Sequence, residues 1–272
     1  MSAPAASASP ELKVLLRRLR LGQLLDTLPE RAALAKTHQL SHLEFLEQLL
    51  SEEVTRRDAS SAGVRARAAR LEPQMVLEAF DASAKITYDR AVLDELVSLR
   101  FVEKAQNAFV LGPVGVGKTF IATSLGHIAC RKRVSVHFER ADKMFKRLRA
   151  ARLDASYEAE MRRLVRVELL ILDDFALSSL DPTETGDVYE LVVERHHRAS
   201  TVLTSNRDPS EWLAMMADPL LAQSAIDRLQ SAAFELVIEG ESYRRREKPG
   251  TGPENTPKQA DGSPERGRPR AG

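Results

Sequence analysis

The chain has 272 residues, enough for one large domain or two smaller ones at roughly 150 residues per domain. Apolar residues make up 43% and charged residues 29%, which excludes a collagen-like, a fully disordered and a membrane-embedded protein. No apolar run approaches the roughly 18 to 20 residues of a membrane span, and the start of the chain has no apolar signal core. We therefore expect a cytoplasmic protein without a membrane partner. Its single cysteine, Cys130, excludes an intrachain disulfide.

The net charge is only +1, but the charged residues are unevenly distributed. Residues 131–166 hold 12 basic and 5 acidic side chains, whereas residues 167–240 hold 4 basic and 14 acidic ones. A second basic run, residues 56–70, has five arginines and a single aspartate. Each run alone fits a solvated helix face as well as a surface for a polyanion, so other features have to decide.

The first predicted elements are helices within residues 11–70. Apolar residues recur every three or four positions over 12–19 and again over 43–54, as on one face of an amphipathic helix. Ser41 and Glu44 have the spacing of a capping box and predict that the later helix begins there. These patterns predict a small, all-helical N-terminal domain.

The remaining chain divides by composition. Residues 1–10 and 248–272 lack apolar periodicity and are predicted to be disordered. Residues 71–104 are interpreted as a linker or helical connection, since no alternating strand pattern precedes residue 105. Residues 105–247 alternate short apolar runs with helical segments, which predicts an α/β domain with a mostly parallel sheet. The predicted strands of that sheet are 109–111, 134–138, 169–172, 201–205 and 234–238.

A phosphate-binding loop follows the first of these strands. Residues 112–119 read GPVGVGKT and match G-x-x-x-x-G-K-[ST] between a strand and a helical pattern over 121–128. Glycines let backbone N–H groups surround a phosphate at a helix N-terminus, and Lys118 reaches the β- and γ-phosphates. Thr119 is expected to ligate Mg²⁺ through its hydroxyl. The nucleotide-binding residues expected from the motif are Gly112, Pro113, Val114, Gly115, Val116, Gly117, Lys118 and Thr119.

Polar residues at the ends of two further strands complete the predicted ATP and Mg²⁺ site. The stretch LLILDDF ends a buried-type strand with Asp173 and Asp174. We expect Asp173 to ligate Mg²⁺, and Asp174 to hold and polarise the water that attacks the γ-phosphate. Asn206 follows the strand TVLTS and is expected to orient that water or to contact the γ-phosphate. The pair of aspartates favours hydrolysis over binding alone.

With these motifs the chain resembles the IstB family of AAA+ ATPases, which are transposition helper proteins similar to bacterial replicative helicase loaders. The resemblance covers roughly residues 11–247. It rests on the stretches LSHLEFLEQLLSEEVTRR, FVEKAQNAFVLGPVGVGKT, LLILDDF, TVLTSNRDPSEW, AIDRL and EGESYR, in this order. It implies an AAA+ P-loop core, an ATP-dependent homo-oligomer on duplex DNA, and a cognate transposase as partner.

The resemblance also implies roles for two arginines. Arg228 in AIDRL matches the arginine that acts from a neighbouring subunit on bound ATP, and Arg244 in EGESYR matches the second sensor. Two departures accompany the match. Phe120 stands where relatives often carry histidine, and the roughly 40 residues after Asn206 are too few for the helical lid of many AAA+ proteins.

The basic run within 131–166 is the predicted DNA contact. Lys143, Lys146 and Arg147 share one face of a helical pattern, while the apolar Met144, Leu148 and Ala151 share another. Only 14 aromatic residues occur in the whole chain, which favours contact with a duplex backbone over stacking on single-stranded bases.

Three alternatives to a transposition ATPase stay open. A helicase loader would keep the ATPase and change the client. A small-molecule kinase would need an acceptor pocket and a phosphate-clamping lid. A binding module with a vestigial ATP site would not need the pair of aspartates.

Overall fold

The computed structural model describes residues 8–80 and 86–243. Its N-terminal part consists of α1 (Pro10–Arg18), α2 (Leu24–Thr37) and α3 (His42–Ala68). Both halves of the capping box predicted for Ser41 and Glu44 are present at the start of α3. The helix α1 begins at Pro10, inside the segment predicted to be disordered, because Ser9 caps its first turn. Residues 1–7 and 244–272 lie outside the described residues.

The predicted connection, residues 71–104, is built into the α/β domain. It forms a 3₁₀ turn (Leu77–Ala79), strand β1 (Ile86–Thr87), α4 (Arg90–Ser98) and α5 (Arg100–Glu103). The expectation of no strand before residue 105 is wrong at β1, which is too short to leave an alternating pattern. The connection also buries apolar side chains in the core, among them Leu71, Leu93, Leu96, Leu99 and Phe101.

The predicted parallel sheet is confirmed. Its five strands are β2 (Asn107–Leu111), β3 (Val136–Arg140), β4 (Leu169–Asp173), β5 (Ser200–Ser205) and β6 (Ala233–Val237). They are ordered β3-β4-β5-β2-β6, and every pairing is parallel. A last strand, β7 (Glu239–Gly240), pairs antiparallel with β1.

Helices cover both faces of the sheet. They are α6 (Lys118–Arg131), α7 (Ala141–Leu153), α8 (Tyr157–Arg166), α9 (Pro182–Arg195), α10 (Pro209–Met215) and α11 (Pro219–Gln230). Because side chains alternate along a strand, Ala108 and Val110 pack with α6 while Phe109 and Leu111 pack on the other face. Trp212 completes that second layer, edge-on to Phe109 at 5.1 Å between ring centroids.

Aspartate-proline pairs set where the last three helices begin. Asp181, Asp208 and Asp218 each accept backbone N–H bonds in the first turn, and proline follows each at the first helical position. These caps therefore fix the first residue of each of the three helices.

The strand order determines where the polar side chains collect. In a parallel sheet the carboxyl ends of the strands share one edge, and β4, β5 and β2 are consecutive here, with β5 in the middle. The loop after β2 therefore lies beside the end of β4 and the residue that follows β5. Within the described ranges, no helix has the length and apolarity needed to cross a membrane.

Candidate nucleotide-binding site

A cavity of about 640 Å³ opens at this edge of the sheet, a size within the usual range for small-molecule sites. One wall is polar and consists of the 112–119 loop with Arg140 and the residues that follow β4 and β5. The other wall is apolar and comes from the 71–104 connection and from residues 241–243 after β7, here named the C-terminal strap. Lining residues are Met75, Ala79, Phe80, Ile86, Val114, Gly115, Val116, Gly117, Lys118, Thr119, Phe120, Arg140, Asp173, Asp174, Leu177, Asn206 and Tyr243.

Two glycines of the loop are required by their surroundings. Gly112 has φ +142°, and a Cβ there would lie 2.1 Å from the carbonyl oxygen of Ile238. Gly115 has φ +88°, and a Cβ there would lie 2.1 Å from Ser242 Oγ. The segment after β6 thus packs directly against the loop, and the Tyr243 N–H donates to the Gly115 carbonyl at 2.8 Å.

Lys118 and Thr119 open helix α6 at the cavity. The Lys118 side chain is buried, and its ammonium donates to the Pro113 carbonyl at 2.7 Å. Thr119 Oγ1 donates to Asp173 Oδ1 at 2.9 Å. Two oxygens bound to Mg²⁺ at neighbouring octahedral positions are about 3 Å apart, since each lies about 2.1 Å from the ion. The hydroxyl and the carboxylate therefore fit a Mg²⁺ ion, which Thr119 and Asp173 would hold.

The carboxylate of Asp173 is buried at the end of β4. Burial raises its pKa, while hydrogen bonds from Thr204 Oγ1 at 2.6 Å and from Thr119 act to lower it. A buried carboxylate of this kind gains most from a cation beside it. The Thr204 hydroxyl is a positioning group that the sequence reasoning missed, because an inward threonine in a strand looks like any other core position.

Asp174 and Asn206 lie on the polar wall of the cavity. Asp174 has φ +56°, and its backbone N–H donates to Thr204 Oγ1 at 2.9 Å, which turns the chain sharply after β4. Its Oδ2 lies 3.7 Å from the guanidinium of Arg140. The carboxylate is partly exposed to the cavity, so it is accessible to a water molecule. Arg140 is a further cavity residue that sequence reasoning did not single out.

The apolar wall is the largest feature that the sequence did not reveal. The ring of Phe80 packs against Phe120 at 5.5 Å and against Tyr88 at 6.3 Å between centroids. Phe120, noted as a departure from relatives, therefore forms part of the cavity wall. Flat aromatic and apolar surface beside a phosphate loop suits a nucleobase, because the base presents a large apolar face.

Arg228 lies away from this cavity. Its guanidinium donates to the Ser224 carbonyl at 2.8 Å, and the neighbouring Leu229 carbonyl accepts from Asn107 Nδ2 at 3.1 Å. Asn107 begins β2, whereas the phosphate loop follows the other end of that strand, about 16 Å away at 3.3 Å per residue. Arg228 is therefore distant from the loop of its own chain. Arg244 lies outside the described residues.

The predicted DNA-contacting helix is α7. Met144, Leu148 and Ala151 are buried, as predicted, while Lys143 and Lys146 are exposed. The prediction that Arg147 contacts DNA is not met in this structure. Its guanidinium is only 22% exposed, donates to Glu139 at 2.6 and 3.1 Å and also pairs with Glu160. A side chain held by two carboxylates is not available to phosphates in this conformation.

Comparison with known proteins identifies the family. The sequence model of the IstB-like ATP-binding protein family matches residues 14–250. The chain belongs to this family. An insertion-sequence ATP-binding protein of Mycobacterium tuberculosis is 36% identical over 242 residues, covering 89% of this chain and 96% of the relative. The ATP-binding protein of insertion sequence IS21 from Pseudomonas aeruginosa is 36% identical, covering 88% of this chain and 90% of the relative.

Solved structures confirm the AAA+ fold. The replication initiator DnaA, bound to AMPPCP and single-stranded DNA, aligns with a TM-score of 0.53 at 21% identity, over 63% of this chain and 51% of that chain. DnaI aligns with a TM-score of 0.53 at 19% identity, over 60% of this chain and 90% of that chain. At these identities the likeness concerns the fold.

Proposed function

We propose that this protein is an ATPase of an insertion sequence, which assembles on duplex DNA in its ATP-bound state and recruits a cognate transposase. The observation that carries the proposal is that Lys118, Thr119, Asp173 and Asp174 line the same cavity. Family membership and the insertion-sequence relatives support the biological setting.

Five polar residues of the cavity have a part in hydrolysis. Lys118 binds the β- and γ-phosphates, and Thr119 and Asp173 hold Mg²⁺, which offsets charge on the phosphate oxygens. Asp174 orients water and accepts its proton as the water oxygen attacks the γ-phosphorus. The bond from that phosphorus to the bridging oxygen breaks, and ADP carries the bridging oxygen away. Asn206 contacts the same water or the γ-phosphate.

Arg228 acts between subunits in this proposal. Its position near the start of β2 separates it from the phosphate loop of its own chain, so it serves the ATP of a neighbour. An arginine supplied in this way stabilises charge that develops on the transferring phosphoryl group. Arg244, the proposed second sensor, follows Tyr243, which is bonded to the loop at Gly115. ATP therefore joins two subunits and controls their assembly.

The transposase is proposed to bind the N-terminal helices. These helices expose many apolar side chains and bury few, an arrangement typical of surfaces that a partner covers. The exposed residues include Leu15, Leu19, Leu43, Leu46, Leu50, Val54 and Val64. Lys143 and Lys146 of α7 are proposed to contact the DNA backbone.

A helicase loader is the second candidate, favoured by the fold likeness to DnaI. It would use the same ATP site and the same N-terminal helices for a different client. Co-purification with a transposase, as opposed to a replicative helicase, distinguishes the two.

Light scattering tests the assembly. We expect a large particle only when ATP and duplex DNA are both present, and no such particle for Lys118→Ala or Arg228→Ala. ADP and DNA alone serve as controls. A protein that stays monomeric on DNA in every nucleotide state would contradict the proposal.

A further inference from the structure

The two basic runs of the sequence meet beside β3, the outermost strand on one side of the sheet. Strand β3 is an edge strand, and the end of α3 lies along it, with the Phe138 N–H donating to the Ala69 carbonyl at 2.9 Å. Helix α7 begins directly after β3. The arginine-rich half of α3 and the lysines of α7 are therefore neighbours in space, although about 75 residues separate them along the chain.

Glu139 joins the two runs. Arg70, just beyond α3, lies 3.4 Å from Glu139 Oε1, and Arg147 of α7 donates two hydrogen bonds to the same carboxylate. Arg147 also pairs with Glu160, so the two arginines and the two carboxylates of this cluster balance in charge. Arg70 is half exposed and places its positive charge at the surface, where a phosphate can approach it. Lys143 lies one turn before Arg147 on the same face of α7.

The exposed stripe of α3 extends this charge. Positions 56, 60, 63 and 67 follow each other at spacings of four and three, so they share a face that continues to Arg70. Arg67 is exposed and has no ion pair among the described residues. Between the arginines the stripe has small side chains, and a Cβ at Gly63 would meet nothing within 4 Å. A bulky ligand can therefore approach the helix closely.

We propose that Arg67, Arg70, Lys143 and Lys146 form one surface, here named the sheet-edge basic surface, that binds the phosphate backbone of duplex DNA. The inference rests on the DNA binding stated under the proposed function and adds the N-terminal helical part to it. From residue 56 to 70 the stripe is about 21 Å long at about 1.5 Å per residue, the length of about six base pairs.

A duplex fits better than single-stranded nucleic acid. Phe145 is the only aromatic residue in segments 56–70 and 139–149, and it is buried, so no ring is available for stacking on bases. Exposed arginine and lysine side chains suit phosphate oxygens, which carry no sequence information. Lys146 also lies 3.8 Å from Asp142, in an exposed pair of the kind that contributes little to stability. The surface is therefore expected to bind with little sequence preference.

The test measures DNA affinity of the full chain loaded with ATP, between about 50 and 200 mM salt, on a short labelled duplex of mixed sequence. The variants are R67A/R70A and K143A/K146A. The control, R90A/K104A, removes two exposed cations, one at the start of α4 and one directly after α5. These helices pack against β6 and β2, away from β3 in the sheet. Each test pair should lower the slope of log affinity against log salt by about 1.8, at about 0.9 per phosphate contact. The control pair should leave the slope unchanged.

Charge-preserving variants separate charge from folding. R67K/R70K should keep the wild-type slope, because a backbone contact needs a cation and no fixed geometry. An unchanged slope in R67A/R70A, with a reduced one in K143A/K146A, would overturn the inference and leave the proposed function intact. Loss of slope in R67K/R70K would also overturn it, since that result requires a structural role of the arginines. A wild-type protein that does not bind DNA at all would instead contradict the proposed function.

Discussion

The nucleotide site and the sheet-edge basic surface are built on different physical terms. At the nucleotide site, Lys118 and Asp173 are buried and each has a defined hydrogen-bond partner. At the sheet edge, Arg67, Lys143 and Lys146 are exposed on flexible stems. One substitution at the nucleotide site therefore removes a group that no other residue replaces. One substitution at the sheet-edge basic surface removes only part of a charge that several residues share.

The largest expected effect comes from Arg228. Replacing it with alanine should lower the ATPase turnover number, measured with duplex DNA present, by about 10³- to 10⁵-fold, because charge on the transferring phosphoryl group loses its partner. Nucleotide affinity of the monomer should not change, since Arg228 is remote from its own loop. Mixing Arg228→Ala with Lys118→Ala subunits should restore turnover, as each supplies what the other lacks. A loss of nucleotide affinity in the isolated Arg228→Ala monomer would contradict the proposal that Arg228 acts between subunits.

Asp174 should give the next largest effect. Asp174→Asn keeps the shape and removes the proton acceptor, so turnover should fall by about 10²- to 10⁴-fold. Binding of a labelled ATP analogue should persist, because Lys118 and the loop are unchanged. Calorimetry of nucleotide binding beside a phosphate-release assay separates the two. Full turnover in this variant would leave Asp174 without a catalytic role.

The two regions also differ in how well the sequence predicted them. The phosphate loop and the pair Asp173 and Asp174 follow strands directly, so local order along the chain was sufficient to assign them. The ring of Phe80 could not be assigned, because its contact with Phe120 depends on how the 71–104 connection folds back. Periodicity placed Arg147 on the correct helix face but gave no sign of Glu139 and Glu160, which hold it.

Glu139 differs from its neighbours at the sheet-edge basic surface, because its carboxylate is buried. Burial alone would raise its pKa, but hydrogen bonds from His137 and Arg147 lower it from 4.5 to about 2. A depressed carboxyl pKa contributes stability that is present above about pH 4.5 and is lost as the pH falls toward 2. Glu139→Gln should therefore lower the free energy of unfolding by about 3 kcal/mol near pH 7.

The same substitution should matter progressively less as the pH falls from 4.5 toward 2, because the wild-type carboxyl group then takes up its own proton. Urea unfolding at a series of pH values measures this. Glu160→Gln is the matched control, since that carboxylate also pairs with Arg147 but is more exposed, and exposed ion pairs contribute little to stability. A difference between wild type and Glu139→Gln that is independent of pH would contradict the ion-pair explanation.

The smallest effect on stability concerns the loop glycines, and it has an internal control in a helix. Gly115→Ala forces a side chain at φ +88° against Ser242, so it should lower stability by about 1 to 3 kcal/mol and weaken nucleotide binding as the strap is displaced. Gly186→Ala adds the same methyl group to α9, where nothing lies within 4 Å. Alanine there should stabilise the protein by about 0.5 to 1 kcal/mol, because it restricts the unfolded chain. Thermal unfolding with and without nucleotide compares the two variants, and equal shifts of the same sign would show that the Ser242 contact does not constrain the loop.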